Sequence, residues 1–426
     1  MKKILSLILV AAMMLALAAC GGGGENQSSS GSSGSSGGSD ADGPSGTITV
    51  WEHDYSFEDS LKGIIEGFNK QYPNVKVEYQ IRADGDYYSL LQTAIQSGGG
   101  PDLFWTNGTA TTTMPDYVSN NALVDLSDAV DYSFISESAQ DLARVDGGLY
   151  SVPWMTLDTR AVFYNKDMFA EHNWEIPTTF SEFETLLATI NDAGIIPISL
   201  AYEPWSLLFA YEPILAAHAP EYTAGLQDYS VKADDAPARE AYQKMVDWAG
   251  AGYFGSNWLG VVDGANQLLV FTTGSAAMDI AGSWDAATIQ MNNPGLNLGA
   301  FTIPAEDGTT GLVGTASNGF SVNADSKNME AALAFANYCA SKEAQSIWVE
   351  SQGAVSGSPE IPAGSDVAQE ISDSGAGTTY RSWQNVLSSY TSSGQASVIW
   401  ESDFTKAFTG EMTVDQVMDN IGAEMQ

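Results

Sequence analysis

Cationic side chains, cysteine and histidine are all scarce in this chain. Its 426 residues hold 16 lysines and arginines against 53 aspartates and glutamates, a formal net charge of −37. A surface of that sign repels phosphate backbones and anionic headgroups. It excludes nucleic acid, acidic lipid surfaces and polyanionic ligands as partners. With only two cysteines, Cys20 and Cys339, no disulfide framework is available. Cys339 closes the amphipathic run that starts at Ala331 and reads as a small buried hydrophobe. The three histidines, His53, His172 and His218, have no metal-ligand spacing, so neither a metal site nor a cofactor is expected.

Where apolar residues do concentrate, they are at the start. Lys2 and Lys3 precede the apolar run from Ile4 to Ala19. That run of roughly 16 residues is shorter than the about 20 a membrane span needs. A charged, then apolar, then small-residue order is that of a secretory leader, expected over residues 1–19. Its ending, Leu17-Ala18-Ala19-Cys20, resembles a bacterial lipobox, in which the cysteine receives a lipid and becomes the mature N-terminus. From Cys20 to Gly46 the chain is dominated by Gly, Ser and Asp, a composition that buries no core and behaves as a tether. The expectation is an exported, lipid-anchored protein on the extracellular face of a bacterial membrane. A Ser/Gly tether after such a cysteine fits a Gram-positive surface, where no outer membrane retains a free binding protein.

Beyond the tether about 380 residues remain, suited to two or three domain-sized units. Thr47-Ile-Thr-Val-Trp51 reads as a strand. Leu61, Ile64, Ile65 and Phe68 fall on one helical face, and Val75, Val77 and Tyr79 alternate as a second strand. Leu90, Leu91, Ala94 and Ile95 give another helix, closed by Gly98-Gly99-Gly100-Pro101, and Leu103-Phe104-Trp105 a short buried strand. This order predicts an α/β layer with a mainly parallel sheet, whose ligands gather beyond the carboxyl ends of the strands. The middle is richer in helix, at Phe180–Asp192, Arg239–Ala249 and Gln267–Thr272. Gly319–Val322 and Met329–Cys339 then return to the first type of layer.

Several motifs, in order, carry a family resemblance. They are Gly99-Gly-Pro-Asp-Leu-Phe-Trp105, Tyr150-Ser-Val-Pro-Trp154 and Tyr164-Asn-Lys-Asp-Met-Phe169. Gly274-Ser-Ala-Ala-Met278, Gly282-Ser-Trp284 and Ala344-Gln-Ser-Ile-Trp348 follow. From Thr47 onward the chain resembles the extracellular solute-binding proteins of sugar-importing ABC transporters, family 1, of the maltose-binding type. That resemblance implies two α/β lobes closing by a hinge over a ligand cleft. It places lobe one at 47–157 plus 316–372 and lobe two at 158–315 plus 373–426. It also implies a monomer that binds an oligosaccharide, meets the transporter's permease subunits, and does no chemistry.

A sugar offers an apolar C–H face and a rim of hydroxyls, so its site needs flat rings together with carboxylates or amides. Eleven tryptophans supply candidates. The resemblance puts Trp105, Trp205 and Trp284 in the cleft, with Trp383 where the family has its last cleft aromatic. Trp154 is a further candidate. Glu203-Pro204-Trp205 matches a triplet whose acid and ring both touch sugar in the family. Asp158 stands six residues before Tyr164, where the family carries a sugar-binding acid, and Asn107 stands near a polar contact. Asp285, after Trp284, is an additional acceptor. His53 and Tyr55 follow the first strand, where polar contacts are expected, and Arg82 and Tyr87 lie near the cleft edge. Trp51, Trp174, Trp248, Trp348 and Trp400 read as packing residues.

Two other readings use the same residues. Aromatic clefts with carboxylates also describe glycoside hydrolases, with Asp158 and Glu203 as acid and nucleophile. The same fold also takes non-sugar solutes such as a polyol, a peptide or a polyamine.

Overall fold

Ile48 and Val50 point inward from β1 (Gly46–Glu52) while Thr47 faces out, the period-two alternation that makes one face of a strand apolar. The helix Glu58–Gln71 buries Leu61, Ile64 and Phe68 on one face, as their spacing predicts. β2 (Val75–Ile81) returns beside β1, the helix Asp84–Gln96 crosses back, and β3 (Leu103–Thr106) is buried along its length. Both β2 and β3 run parallel to β1. The computed structural model describes residues 43–425 except 83, 112, 376–377 and 391–399. The leader, Cys20 and most of the tether therefore lie outside the described residues.

β4 (Arg144–Val145) and β5 (Gly148–Leu149) form a small hairpin. It turns through Asp146 and Gly147, whose φ values of 49° and 90° an Asp-Gly pair adopts with little strain. The chain then enters β6 (Val152–Asn165), a strand long enough to serve two halves of the sheet. β7 (Ile196–Ser199), β8 (Ala276–Gly282) and β9 (Leu298–Phe301) build the second half. There Arg160–Tyr164 of β6 pair with β8, Val162–Asn165 with β9, and β7 lies parallel outside β8. β10 (Leu312–Val322) runs back along β6 to β3, and β11 (Thr379–Tyr380) adds to its start. The strand order is β2-β1-β3-β10-β6-β8-β7.

The two halves are joined through β6 and β10, which run in opposite directions. Parallel pairs therefore sit at the outside and antiparallel pairs at the crossing, so the sheet is mixed rather than mainly parallel. The crossing strands approach so closely that a Cβ at Gly314 or Gly319 would collide with the backbone of Asp158 or Val152. Glycine is required at both places. The pairing register slips on either side of Ser317, a bulge that bends β10 between the halves and re-aims that side chain.

Each half has its own core. Ile48, Phe68, Phe104, Trp154, Phe335 and Trp348 belong to the first. Phe183, Leu187, Tyr211, Tyr242, Trp383 and Phe404 belong to the second. A third cluster, including Phe163, Phe271, Ile289, Val355 and Ile371, covers the other face of the second half. Helix Met329–Cys339, foreseen from its pattern, and helix Lys342–Gln352 pack on the first lobe. Helix Asp366–Ser374 packs on the second, where Glu370 accepts from Lys166 Nζ at 2.5 Å and from the Ala300 amide at 3.1 Å. The expected boundary at 372 thus falls too late. The chain leaves the first lobe near Gly353, which caps its helix with φ 59°. Among the described residues no helix is long and apolar enough to cross a membrane.

Candidate functional site

A narrow hollow of about 30 Å³, open to solvent, lies over the crossing strands. Its floor is Thr156 and Asp158 of β6 and Ser317 of β10. Phe57, Trp348 and Gln352 wall it from the first lobe, Ser283 and Trp284 from the second.

The second-lobe wall and the rings behind it are built from two turns. After β8 the chain bends at Gly282, where any Cβ would occupy the space of the Trp284 ring, so the glycine lets that indole fold back. Ser283 ties the bend to the crossing strand: its Oγ donates to the Leu157 carbonyl at 3.1 Å and accepts from the Thr159 amide at 3.2 Å. The second turn is the start of helix Pro204–His218. Glu203 caps it, its Oε1 accepting from the Ser206 amide at 3.2 Å and the Ser206 hydroxyl at 2.7 Å, with Pro204 in the first position. This presents Trp205 and, one helical turn on, Phe209, with ring centroids 6.0 Å apart. Phe209 meets Trp284 edge-on at 5.5 Å, and Trp205 meets Trp400 edge-on at 5.1 Å. Trp205, Phe209 and Trp284 all stay half-buried.

In the first lobe His53 leaves the end of β1 and stacks on Trp105 at 4.8 Å. The His53 ring Nδ1 lies 2.5 Å from Oε1 of fully buried Glu52, whose carboxyl burial raises above the usual carboxylate range. Trp105 Nε1 donates to Asn107 Oδ1 at 3.2 Å, and Asn107 Nδ2 donates to the Tyr88 hydroxyl at 2.7 Å. The polar groups of this cluster are thus spent largely on one another.

Three carboxyls near the floor are held above their ordinary range. Burial pushes Asp158 up to about 6, against hydrogen bonds from Ser317 and Thr156 and the charges of Arg160 and His53. Burial, then the facing charge of Asp54, pushes Asp285 up to about 7, opposed by the Gly282 amide and Arg160. Asp279, on β8 and fully buried, reaches about 8, with a hydrogen bond from Gln267 Nε2 at 2.9 Å. Asp54 and His53 belong to the first lobe, so the two lobes act on each other's charges across the hollow.

A family model described as bacterial extracellular solute-binding protein matches residues 56–346. The chain belongs to that family. A multiple sugar-binding protein of Streptococcus mutans is 25% identical over 72% of this solute-binding protein and 74% of its own length. The diacetylchitobiose binding protein of Streptomyces coelicolor is 29% identical over 62% of each chain. Among solved structures, a chitin oligosaccharide binding protein superposes with a TM-score of 0.74 over 89% of this chain and 98% of its own, at 19% identity. These neighbours share the two-lobe α/β architecture.

Of the residues anticipated for the site, the fold brings Asp158 and Trp284 to the hollow itself and Asp285 beside it. Glu203 and Trp205 lie behind Trp284, linked to it through Phe209, and do not line the hollow; the Glu203 Oε1 is engaged in capping. His53, Trp105 and Asn107 form a cluster behind Phe57 in the first lobe and do not line the hollow, with Trp105 only 4% exposed. Tyr55 stands out in solvent at 63% exposure. Two candidates are corrected. Trp154 is fully buried and stacks on Trp348 at 4.1 Å. Trp383 packs edge-on against Tyr211 at 5.1 Å and donates Nε1 to the Ala233 carbonyl at 3.0 Å, within the second core. Arg82 lies over the Trp51 ring at 4.1 Å, and Tyr87 is buried with its hydroxyl on the Trp105 carbonyl at 2.9 Å. Phe57, Gln352, Phe209 and Arg160 were missed near the site, while Trp348, read as a packing residue, is buried in the first core and only edges the hollow. Trp348 sits in a helical apolar pattern that reads as core. Arg160 lies two residues past Asp158 on the same strand, the one signal that could have flagged it.

Proposed function

We infer that this solute-binding protein holds a carbohydrate in the hollow between its lobes and delivers it to an ABC importer without transforming it. One observation carries the reading: a ring from each lobe, Phe57 on one side and half-buried Trp284 on the other, flanks a floor of Asp158, Ser317 and Thr156. Flat apolar faces with hydroxyls and a carboxylate between them match the two chemistries of a sugar ring. The names of the Streptococcus, Streptomyces and chitin-oligosaccharide relatives, all sugar binders, support the class. A ligand touching both walls favours the closed arrangement, because it gains contacts there that an open cleft does not provide.

Calorimetry against chito-, malto-, xylo- and raffinose-type oligosaccharides, with product analysis of the same samples, tests this. Saturable heat with intact sugar is the expected result. No binding to any member, or release of cleaved sugar, overturns it. For localisation we propose lipid attachment at Cys20 on a Gram-positive surface. Cys20→Ala then moves the protein from the membrane fraction into the medium, since two or more acyl chains anchor stably and an acidic body does not.

A further inference from the structure

Arg160 is nearly buried, at 6% exposure, directly behind the second-lobe wall. Its Nε donates to Glu212 Oε2 at 2.8 Å, and the other Glu212 oxygen accepts from the Gln384 amide at 3.2 Å. The guanidinium carbon lies 4.1 Å from the centroid of Phe209 and 5.4 Å from that of Trp284. A planar cation so placed attracts both ring faces and sets the distance between them. The same residue stands on the crossing strand, two positions beyond Asp158 and paired with Gly282, the residue against which Trp284 folds. Hinge, ring platform and cleft carboxyls therefore meet at one side chain.

We propose that Arg160 is a positioning residue for ligand recognition: anchored by Glu212, it fixes the Trp284 and Phe209 rings and supplies the positive charge that Asp158 and Asp285 face. This rests on the cleft being the carbohydrate site. The electrostatics agree, because Arg160 opposes the burial that raises both acids. The other charges facing them are His53 at Asp158, and Asp54 at Asp285, while Asp279 is in turn raised by the nearby Asp285. Asp54 raises its partner and His53 lowers its own, so removing Arg160 leaves the Asp285 side without a countercharge among the groups named. A ligand that must donate hydroxyls to ionised acceptors would lose them first at that end.

Two variants separate the roles. Arg160→Lys keeps a charge for Glu212 but not the plane that lies on Phe209. Arg160→Met with Glu212→Gln removes both charges together, so that no lone buried carboxylate threatens folding. The full-length protein is labelled with fluorotryptophan, and the Trp284 resonance is assigned by its loss in Trp284→Phe. In the ligand-free protein that resonance is expected to shift in both variants, and its pH titration to move upward by at least half a unit in the double variant only. Affinity for the sugar that the unmodified protein binds should fall at least tenfold in both. An unmoved Trp284 resonance with an unchanged titration overturns the proposal whether or not any sugar binds. A wild-type protein that binds no sugar, by contrast, defeats only the carbohydrate reading. A lowered melting temperature with unshifted resonance and titration marks Arg160 as merely structural and also overturns it.

Discussion

In the first lobe Trp154 and Trp348 stack at 4.1 Å with their planes 2° apart, Trp105 lies 6.4 Å further at 18°, and His53 continues the column at 4.8 Å. In the second, Trp284, Phe209, Trp205 and Trp400 meet edge-on or steeply tilted, over a guanidinium. The first arrangement covers both faces of its middle rings, so it makes a core that only touches the hollow. The second buries Trp400 but leaves Trp284, Phe209 and Trp205 half-buried, the geometry a flat ligand can complete. One residue type thus serves two purposes, and the angle between neighbouring rings decides which.

The strongest way to break this contrast is to remove a ring from each wall. Trp348→Ala, in the stacked column, is expected to cost about 3–5 kcal/mol of stability, the usual penalty for emptying a buried aromatic site. Urea unfolding measures it, and a loss below about 1 kcal/mol would show that the column is not a core. Trp284→Ala should do the reverse. It should weaken sugar binding by about 2 kcal/mol or more while leaving the unfolding midpoint near that of the parent. Calorimetry and the same urea series read both quantities in one preparation.

Titration sharpens the comparison, because the raised aspartyl groups sit at the floor and on the second-lobe side. Asp279, Asp285 and Asp158 keep their protons in the folded chain to about 8, 7 and 6, whereas the unfolded chain releases them near 3.8, the ordinary aspartate value. Between those limits the native state binds more protons than the unfolded state, so stability falls as pH rises from about 4 to 8. Each group contributes a slope of at most about 1.4 kcal/mol per pH unit. Asp279→Asn, which imitates the protonated form, should flatten the decline above pH 7. An unchanged slope in thermal unfolding from pH 5 to 8 would refute the assignment.

The smallest effect concerns Glu203. Its Oε1 caps the helix that carries Trp205 and Phe209. Glu203→Ala should lower stability by about 1 kcal/mol, and Glu203→Gln, which keeps an oxygen for Ser206, should restore most of it. If both variants melt alike, the cap is not what this side chain contributes.

Much of this arrangement was legible beforehand. The helix at Phe180–Asp192 and the helix at Met329–Cys339 appear with the bounds their apolar spacing gives. Trp284 and Trp205 were proposed through the family resemblance of Gly282-Ser-Trp284 and Glu203-Pro-Trp205, and the structure gives those motifs a local role as the turn and the helix cap that hold the two rings. Trp383 and Trp154 were misjudged because a tryptophan near a cleft motif and one packed below it have similar neighbours in sequence. Their burial depends on Tyr211 and Trp348, more than 150 residues away in each case. Helix Asp366–Ser374 was placed on the wrong lobe because its polar face carries Glu370, whose partner Lys166 no local pattern names.

The sequence by itself determined the charge balance and helices such as Phe180–Asp192 and Met329–Cys339, since apolar spacing acts within a few residues, whereas the need for glycine at 314 and 319 arises only where β10 meets β6. Only the tertiary structure decided which rings face the hollow and that Arg160 stands behind them. It also brought Asp54 opposite Asp285, a pair set by the packing of two lobes whose strands are joined far apart in sequence. Ring orientation and charge pairing are long-range quantities, because they depend on which surfaces meet, and that is settled only when both cores have formed.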